Sequence, residues 1–299
     1  MKVVALAGGF GGARFVRALA ESSADLTVIG NVGDDEEILG LHISPDLDSI
    51  LYALAGIGDE ERGWGRADET WNALDTVGAL GGDTWFQLGD RDLGLHLLRT
   101  QALRNGEPLS SITTDFAKAL GIDATVLPAT DDQLRTHVET PAGDFSFQEW
   151  YVGRRHEDEV TGVRYEGDAH AAPGVVEALE GADLIAISPS NPFLSIGPIL
   201  AVDAIRKAIE SRRVASIAVS PLIGGRTVKG PADRMLERFA GGTSPAHVAS
   251  AYEGLIDRLV IDESDSGEGD HIVTRTLMSD EAARRTLAEA VLEAAAVPR

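Results

Sequence analysis

A glycine-rich segment directly after an apolar run is a candidate phosphate site. Val3–Ala7 are apolar, residues 8–12 read GGFGG, and a helical pattern begins at Ala13. In a turn from a strand to a helix, glycines allow backbone N–H groups to converge on a phosphate, and the helix N-terminus adds partial positive charge. The alternative is a tight turn without a ligand. Four glycines in five residues favour phosphate binding.

This segment matches neither of the common nucleotide-binding loops. In the pattern GxGxxG the third glycine would fall at Arg14, and the second predicted strand is followed by Asn31 where a dinucleotide-binding fold places an acid. The lysine of a P-loop is also absent. An NAD- or flavin-dependent oxidoreductase is therefore disfavoured.

Three acidic clusters could bind a metal ion. They contain Asp34 and Asp35, Asp46 and Asp48, and Asp90 and Asp92. Each cluster has a structural alternative, because acids are favourable in the first turn of a helix. Carboxylates near a phosphate site instead suggest Mg²⁺, a hard cation that prefers oxygen ligands.

The third cluster opens a helix that is apolar nearly all round. Asp92, His96 and Arg99 follow i, i+4, i+7 spacing and share one face of this helix. Such groups need partners when they are buried. Pairing within the protein and binding of a polar ligand both remain open.

Polar side chains also follow a later predicted strand. Ser190 and Asn191 come after the strand that ends at Ser188. In an open α/β sheet, ligands bind at the carboxyl ends of the strands, where the strand order reverses. Phosphate or base binding and capping of a proline turn are equally compatible with these residues. Trp71 could stack against a flat heterocycle or belong to the core.

The elements that must position these residues alternate between strands and helices. Strands are predicted at Val3–Ala7, Leu26–Gly30, Leu184–Ser188, Ala215–Ser220 and Leu259–Asp262. Helices are predicted at Ala13–Ser22, Pro198–Ser211, Ala232–Phe239 and Pro245–Ile256, and from Asp280 onward. This order predicts an α/β fold with a Rossmann-like parallel sheet.

The middle of the chain has a different pattern. Residues 45–127 are mostly helical in pattern, and Phe145–Tyr165 alternates as antiparallel strands do. We therefore predict a nucleotide-binding α/β domain of residues 1–40 and 176–299. Residues 41–175 are predicted to form an inserted, mostly helical substrate subdomain with a small antiparallel piece.

Composition restricts the partners. The 299 residues carry a formal net charge of -22, which disfavours a nucleic-acid partner because phosphate backbones require basic surfaces. No apolar run reaches the roughly 18 residues of a membrane span, so no membrane partner is expected. The chain has no cysteine and opens with a strand pattern rather than a signal peptide, which predicts a cytoplasmic protein.

Taken together, these stretches resemble the 2-phospho-L-lactate transferase family of coenzyme F(420) biosynthesis. The resemblance is carried by GGFGGAR, NVGDD, SPDLDS, RGWG, DETW, LGDRDLGLHLLRTQALRNGEPL, LPATDD, FQEWYVGRR, SPSNPFLSIGPIL and SPLIGGRTVKGPA, in this order over residues 1 to about 265. It implies a Mg²⁺-dependent enzyme that moves a phospholactyl or phosphoenolpyruvyl group from a guanosine diphospho-donor to the ribityl hydroxyl of the deazaflavin Fo. GMP is released, and a homodimer is implied.

Such a transfer depends on charge neutralisation and in-line positioning. We expect Asp46 and Asp48 to hold the metal, with Asp90 as a further candidate. Asp48 or Asp92 is expected to receive the hydroxyl proton, and Arg91 or Arg99, near His96, to offset developing charge. Donor binding is expected from Gly8, Gly9, Gly11, Gly12, Arg14, Asn31, Asp34, Asp35, Ser190 and Asn191, and deazaflavin binding from Trp71.

Two questions stay open at the level of sequence. GGFGGAR, RGWG and DETWNA resemble actinobacterial members, which use the enolpyruvyl donor, whereas the acidic, lysine-poor composition would also suit a salt-adapted archaeon with the lactyl donor. The alternative function is a nucleotide-sugar-binding regulatory protein of related fold without catalysis. Its members share the glycine turn but lack the SPDLD and GDRD acids.

Overall fold

A parallel sheet forms the centre of the protein, shown here by a computed structural model that describes residues 1–22, 25–265 and 269–295. The strands are β1 (Lys2–Ala7), β2 (Asp25–Gly30), β3 (Glu36–Ile38), β4 (Leu41–Ile43), β5 (Thr125–Pro128), β6 (Arg135–Thr140), β7 (Gly143–Ser146), β8 (Gly162–Glu166), β9 (Leu184–Ile187), β10 (Ala215–Val219), β11 (Leu222–Ile223), β12 (Arg226–Thr227), β13 (Arg258–Asp262) and β14 (Ile272–Thr274).

Helices cover both faces of this sheet. They are α1 (Gly9–Glu21), α2 (Pro45–Ala55), α3 (Asn72–Ala79), α4 (Asp92–Arg104), α5 (Leu109–Ala119), α6 (Val175–Glu180), α7 (Gly197–Ala201), α8 (Asp203–Glu210), α9 (Ala232–Ala240), α10 (Pro245–Ser250) and α11 (Glu281–Ala295). Two short π-helices lie at Glu149–Gly153 and Pro192–Ile196. Within the described ranges, no helix combines the length and the apolar character needed to cross a membrane.

The strand order places the reversal of the sheet between β1 and β9. The order is β14-β13-β10-β9-β1-β2-β5, and every neighbouring pair is parallel. From β1 the chain builds the sheet in one direction through β2 and β5 and in the other through β9 to β14. The predicted α/β class with a Rossmann-like parallel sheet is confirmed, and a ligand crevice is expected at the carboxyl ends of β1 and β9.

Both faces of the sheet are buried because its strands are almost wholly apolar. Val3 and Ala5 of β1 pack into a core with α1, α2 and α11, whereas Val4 and Leu6 pack on the opposite side with α7 and α8. This alternation is what a strand buried on both faces requires.

The middle of the chain differs in detail from its predicted pattern. β5 lies within residues 41–175 but joins the central sheet beside β2. The antiparallel piece is the sheet β7-β6-β8, and Glu149–Gly153 is a π-helix rather than a strand. The predicted helix Pro198–Ser211 is interrupted at Val202, which has an extended backbone (φ -75°, ψ 103°). The division into two domains stays a prediction.

Candidate active site

The glycines of the first turn let α1 lie against the loop after β9. The helix begins at Gly9, four residues earlier than predicted, so Gly11 and Gly12 belong to its first turn. A Cβ atom added at Gly12 would lie 2.7 Å from Ser190 Oγ, and one added at Gly11 would lie 3.0 Å from the Pro189 carbonyl oxygen. Close packing therefore explains these two glycines, and phosphate binding stays a prediction.

The carboxylate of Asp46, a residue in the first turn of α2, lies at the N-terminus of α1. Its Oδ1 accepts a hydrogen bond from the Gly9 N–H at 2.8 Å, and its Oδ2 accepts one from Asn31 Nδ2 at 2.9 Å. A Cβ at Gly8 would lie 2.6 Å from Asp46 Oδ2, so glycine is required there as well. Burial raises the pKa of Asp46 to about 6, against the two hydrogen bonds that lower it. A phosphate at this helix end would meet a carboxylate unless a cation lay between them.

Two further acids after β2 lie in the same region. Asp34 is buried, and its Oδ1 has no hydrogen-bond partner within the described part of the chain. Burial first, and then the charge of Asp46, raise the pKa of Asp34 well above its ordinary value. Asp35 Oδ2 accepts a hydrogen bond from Ser44 Oγ at 2.7 Å and lies 3.0 Å from His42 Nε2. The structure thus brings these carboxylates together beside Asn31, in a place with little water.

A divalent cation suits this group of carboxylates. Within residues 1–22, 25–265 and 269–295, no three His, Asp or Glu side chains form a complete ligand set. Mg²⁺ commonly takes only one or two carboxylates and completes its shell with water and substrate phosphates. Asp34 and Asp46 fit that arrangement, because one buried oxygen of Asp34 lacks a partner and both acids repel each other.

Asp48 points to different partners from Asp46. Arg99 donates to both of its carboxylate oxygens, with Nη1 3.1 Å from Oδ2. His96 Nδ1 lies 3.4 Å from Arg99 Nη1, and burial lowers the pKa of His96 to about 4, so this imidazole is neutral at pH 7. Asp48, His96 and Arg99 are all buried and join α2 to α4. Asp92, His96 and Arg99 therefore do share one buried face of α4. His96 and Arg99 have partners inside the protein.

Asp92 is the acid of this helix that lacks a full set of partners. Its Oδ1 is buried and has no hydrogen bond to any described residue, although Tyr52, Asp48 and Glu69 lie nearby. Burial, followed by the charges of Asp48 and Glu69, raises its pKa to about 6, while Tyr52 and Arg66 oppose the shift. A carboxylate with this pKa can accept a proton near neutral pH.

Asp90 and Glu69 cap each other's helices. Asp90 Oδ1 accepts from the Ala73 N–H at 2.9 Å, and its Oδ2 accepts from Thr70 Oγ1 at 2.6 Å and the Asn72 N–H at 3.0 Å, at the start of α3. Glu69 Oε1 accepts from the Arg91 N–H at 2.7 Å, and its Oε2 from the Asp92 N–H at 3.2 Å, at the start of α4. The hydrogen bonds that Asp90 accepts at the start of α3 lower its pKa. Capping of α3 therefore accounts for this acid.

The remaining predicted residues have contacts within the protein. Ser190 Oγ donates to the Gly8 carbonyl at 2.6 Å, and Asn191 Oδ1 accepts from the Phe193 N–H at 2.9 Å. Trp71 lies 5.8 Å from Trp64 between ring centroids, and the Arg62 guanidinium covers both rings. The Arg91 side chain is exposed.

Sequence reasoning missed three residues of this region. Glu69 caps α4, Tyr52 faces Asp92, and Gln148 Nε2 donates to the Asp34 carbonyl at 3.0 Å. Tyr52 lies four residues after Asp48 on α2, so helical spacing could have placed it on the same face. Glu69 and Gln148 act through long-range contacts that no local pattern indicates.

Comparisons with known proteins agree on one family. The model of the family 2-phospho-L-lactate transferase CofD matches residues 3–292. The phosphoenolpyruvate transferase of Streptomyces griseus is 43% identical over 277 residues, covering 89% of this chain and 87% of the relative. That of Mycobacterium ulcerans is 40% identical over 327 residues, covering 99% of both chains.

A solved structure supports the fold independently. A protein member of the UPF0052 family from Bacillus halodurans superposes with a TM-score of 0.61, covering 98% of this chain and 100% of its own, at 18% identity. At that identity the likeness concerns the fold alone. The family match extends over nearly the whole chain, and the alignments with relatives at 40–43% identity cover most of each relative's length. This chain therefore belongs to the 2-phospho-L-lactate transferase CofD family.

Proposed function

We propose that this protein transfers a phosphoenolpyruvyl group from a guanosine diphospho-donor to the ribityl hydroxyl of Fo in coenzyme F(420) biosynthesis. The single observation that supports it most strongly is the 40–43% identity to relatives named phosphoenolpyruvate transferase. Those relatives also favour the enolpyruvyl donor over the lactyl donor.

The reaction is a phosphodiester-forming substitution. The hydroxyl oxygen of Fo attacks the distal phosphorus of the donor, and the bond from that phosphorus to the bridging oxygen breaks. GMP leaves with the bridging oxygen and its electron pair, and the hydroxyl proton passes to a base. In-line positioning and charge neutralisation carry most of the rate of such a transfer.

Asp34 and Asp46 are the residues that would hold Mg²⁺. Asp48, expected with Asp46 in this role, is neutralised by the Arg99 guanidinium, whereas the hydrogen bonds to Asp46 come from uncharged N–H groups. The cation would neutralise charge on the diphosphate. The α1 amides next to Asp46 would contribute further positive potential to the same phosphates.

Asp92 is the proposed proton acceptor. Its unpartnered oxygen and raised pKa distinguish it from Asp48, whose oxygens both pair with a guanidinium. Trp64 and Trp71 lie in the same segment as Gly65, whose added Cβ would lie 3.4 Å from Asp92 Oδ2. Their indole faces would meet the flat deazaflavin ring near this acid.

A direct assay tests the proposal. The protein is incubated with Mg²⁺, Fo and either the enolpyruvyl or the lactyl donor, and products are followed by mass spectrometry. We expect GMP and the enolpyruvyl phosphodiester of Fo in equal amounts, with little product from the lactyl donor. No product from either donor, with Fo binding intact, would instead indicate a binding protein without catalysis.

We also propose a homodimer, with α4 at its interface. Leu97 and Leu98 of this helix are 55% and 58% exposed, whereas the apolar residues of α2 belong to the core. Replacing both leucines with glutamate is expected to convert a dimer to a monomer with unchanged secondary structure. Light scattering after size exclusion measures this, and the exposed pair Arg285→Glu and Glu289→Lys on α11 serves as the control. A wild-type monomer would contradict the proposal.

A further inference from the structure

A small cavity beside α1 contains an unusual concentration of arginines. It lies between α1, α2, α11 and the loop after α2, and its walls include Phe10, Tyr52 and Trp64. Arg14, Arg17 and Arg284 line it together with Glu60. We call these four residues the arginine pocket. In a chain with a formal net charge of -22, three converging guanidinium groups need an explanation.

Glu60 alone faces all three guanidinium groups. Its Oε1 accepts from Arg17 Nη1 at 2.9 Å, its Oε2 accepts from Arg284 Nη1 at 3.1 Å, and Arg14 Nη2 lies 3.7 Å from the same oxygen. Glu21 pairs with Arg17 through its Nε at 2.9 Å. Positive charge remains in excess.

The other acid on the wall of the cavity does not change this balance. Asp59 is taken by Arg62, whose Nη2 lies 2.6 Å from Asp59 Oδ2. That carboxylate also accepts from two backbone N–H groups of its own turn. It therefore brings no free negative charge to the arginine pocket.

Two buried N–H groups in the pocket have no acceptor among the residues that the structure describes. They are the Nε atoms of Arg14 and Arg284, and the Arg284 side chain is only 6% exposed. A buried donor without an acceptor carries a substantial free-energy cost. Burial, together with the charges of Arg284 and Arg17, lowers the pKa of Arg14, although Glu60 opposes this. An oxyanion with more acceptor sites than the Glu60 carboxylate would suit this surplus of donors.

We propose that the arginine pocket binds a phosphate dianion, either inorganic phosphate or the phosphoryl group of a small metabolite, in place of Glu60. Three guanidinium groups offer more donors than the two oxygens of one carboxylate can accept, whereas a phosphoryl group has at least three oxygens and nearly two negative charges. The Glu60 side chain is 47% exposed and can turn out into water. The aromatic wall suits the carbon part of a metabolite. Binding here does not depend on the transfer reaction.

Calorimetric titration of the full chain with inorganic phosphate tests this, in EDTA so that no metal draws phosphate to Asp34 and Asp46. The wild type is expected to bind one phosphate. Arg284→Gln is expected to weaken binding at least tenfold, and Glu60→Gln to strengthen it severalfold because the competing carboxylate is gone. Arg285→Gln is the matched control, since that neighbour is exposed and pairs with Glu281 at 3.0 Å, outside the arginine pocket.

The two substitutions are expected to change the phosphate affinity in opposite directions, which makes the outcome decisive. Glu60→Gln alters a half-exposed residue, so it remains informative even if Arg284→Gln does not fold. No phosphate binding by the wild type and Glu60→Gln, or equal affinity in all four proteins, overturns the proposal. Titration with phenyl phosphate separates the two sources: tighter binding than inorganic phosphate indicates a metabolite, and weaker binding indicates the free ion.

Discussion

Replacing Asp34 with asparagine is expected to stabilise the protein at pH 8 while lowering the transfer rate at least a hundredfold. Burial and the charge of Asp46 raise the pKa of the folded Asp34 carboxyl, so its ionised form is unfavourable in the metal-free protein. The folded state therefore loses stability as pH rises above the ordinary carboxyl value of about 4. The Asp34→Asn protein has no charge to bury at this position, but it loses a proposed metal ligand. We expect the transfer rate to fall by about 10²–10³-fold, as when one group that stabilises charge in a transition state is removed.

The stability gain should depend on pH in a defined direction. We expect the Asp34→Asn protein to melt at a higher temperature than the wild type at pH 8. For scale, 1 kcal/mol corresponds to roughly 2–4 °C in chains of 150–250 residues. The difference should become small near pH 4, where the folded carboxyl is protonated and the unfolded one is about half protonated. Calorimetry in EDTA from pH 4 to 8.5 measures it, with the exposed Asp115→Asn of α5 as control. A gain in stability without loss of rate would remove Asp34 from the metal site and leave the burial argument intact.

Replacing Asp92 with asparagine is expected to lower kcat/KM about 10²–10⁴-fold and to remove the acidic limb of its pH profile. The Asp92 carboxyl has a pKa of about 6 and must be deprotonated to accept the hydroxyl proton. Wild-type activity should therefore rise with pH through about 6 and level off above it. The profile from pH 5 to 8.5 under single-turnover conditions measures both effects.

A second acid, Asp46, has a pKa in the same range, and the Asp92→Asn protein shows which of the two acids causes the acidic limb. Asp46 also has a pKa of about 6, raised by burial. If the limb persists in the Asp92→Asn protein, it belongs to Asp46, and Asp92 is not the base. Glu69→Gln is the matched control, because it disturbs the cap of α4 beside Asp92 and leaves the proposed base in place. Since the Glu69 charge helps to raise the pKa of Asp92, its loss should move the limb to lower pH without removing it.

The sequence predicts five of the seven strands of the central sheet, because each of these five carries its own apolar signal. β1, β2, β9, β10 and β13 all begin and end within one residue of their predicted bounds. β5 is four residues long and follows a helical region, so its pattern does not separate it from its surroundings. The pattern places the start of α1 too late because glycine is a poor helix former, whereas packing against the loop after β9 outweighs that preference.

The acidic clusters show where local pattern stops being informative. Spacing places Asp92, His96 and Arg99 on one face of α4, and the structure buries all three. Spacing does not show that Arg99 reaches Asp48 on α2, because that contact joins residues 51 positions apart. Spacing also does not show which acids keep a buried oxygen without a partner among the described residues, as Asp34 and Asp92 do. Both oxygens of Asp46, Asp48 and Asp90 accept hydrogen bonds. Asp34 and Asp92 carry two of the proposed roles, and Asp46 shares the first of them.

The reciprocal caps of Glu69 and Asp90 have a consequence for motion. Each helix start depends on an acid from the segment that leads into the other, so neither α3 nor α4 can lose its first turn without releasing its neighbour. Local opening should therefore involve both helix starts at once, and their capped amides, those of Ala73 and Asp92, should exchange hydrogen for deuterium at a common rate. Since Asp92 is the first residue of α4, the same opening would uncover its carboxyl to solvent and to an incoming molecule.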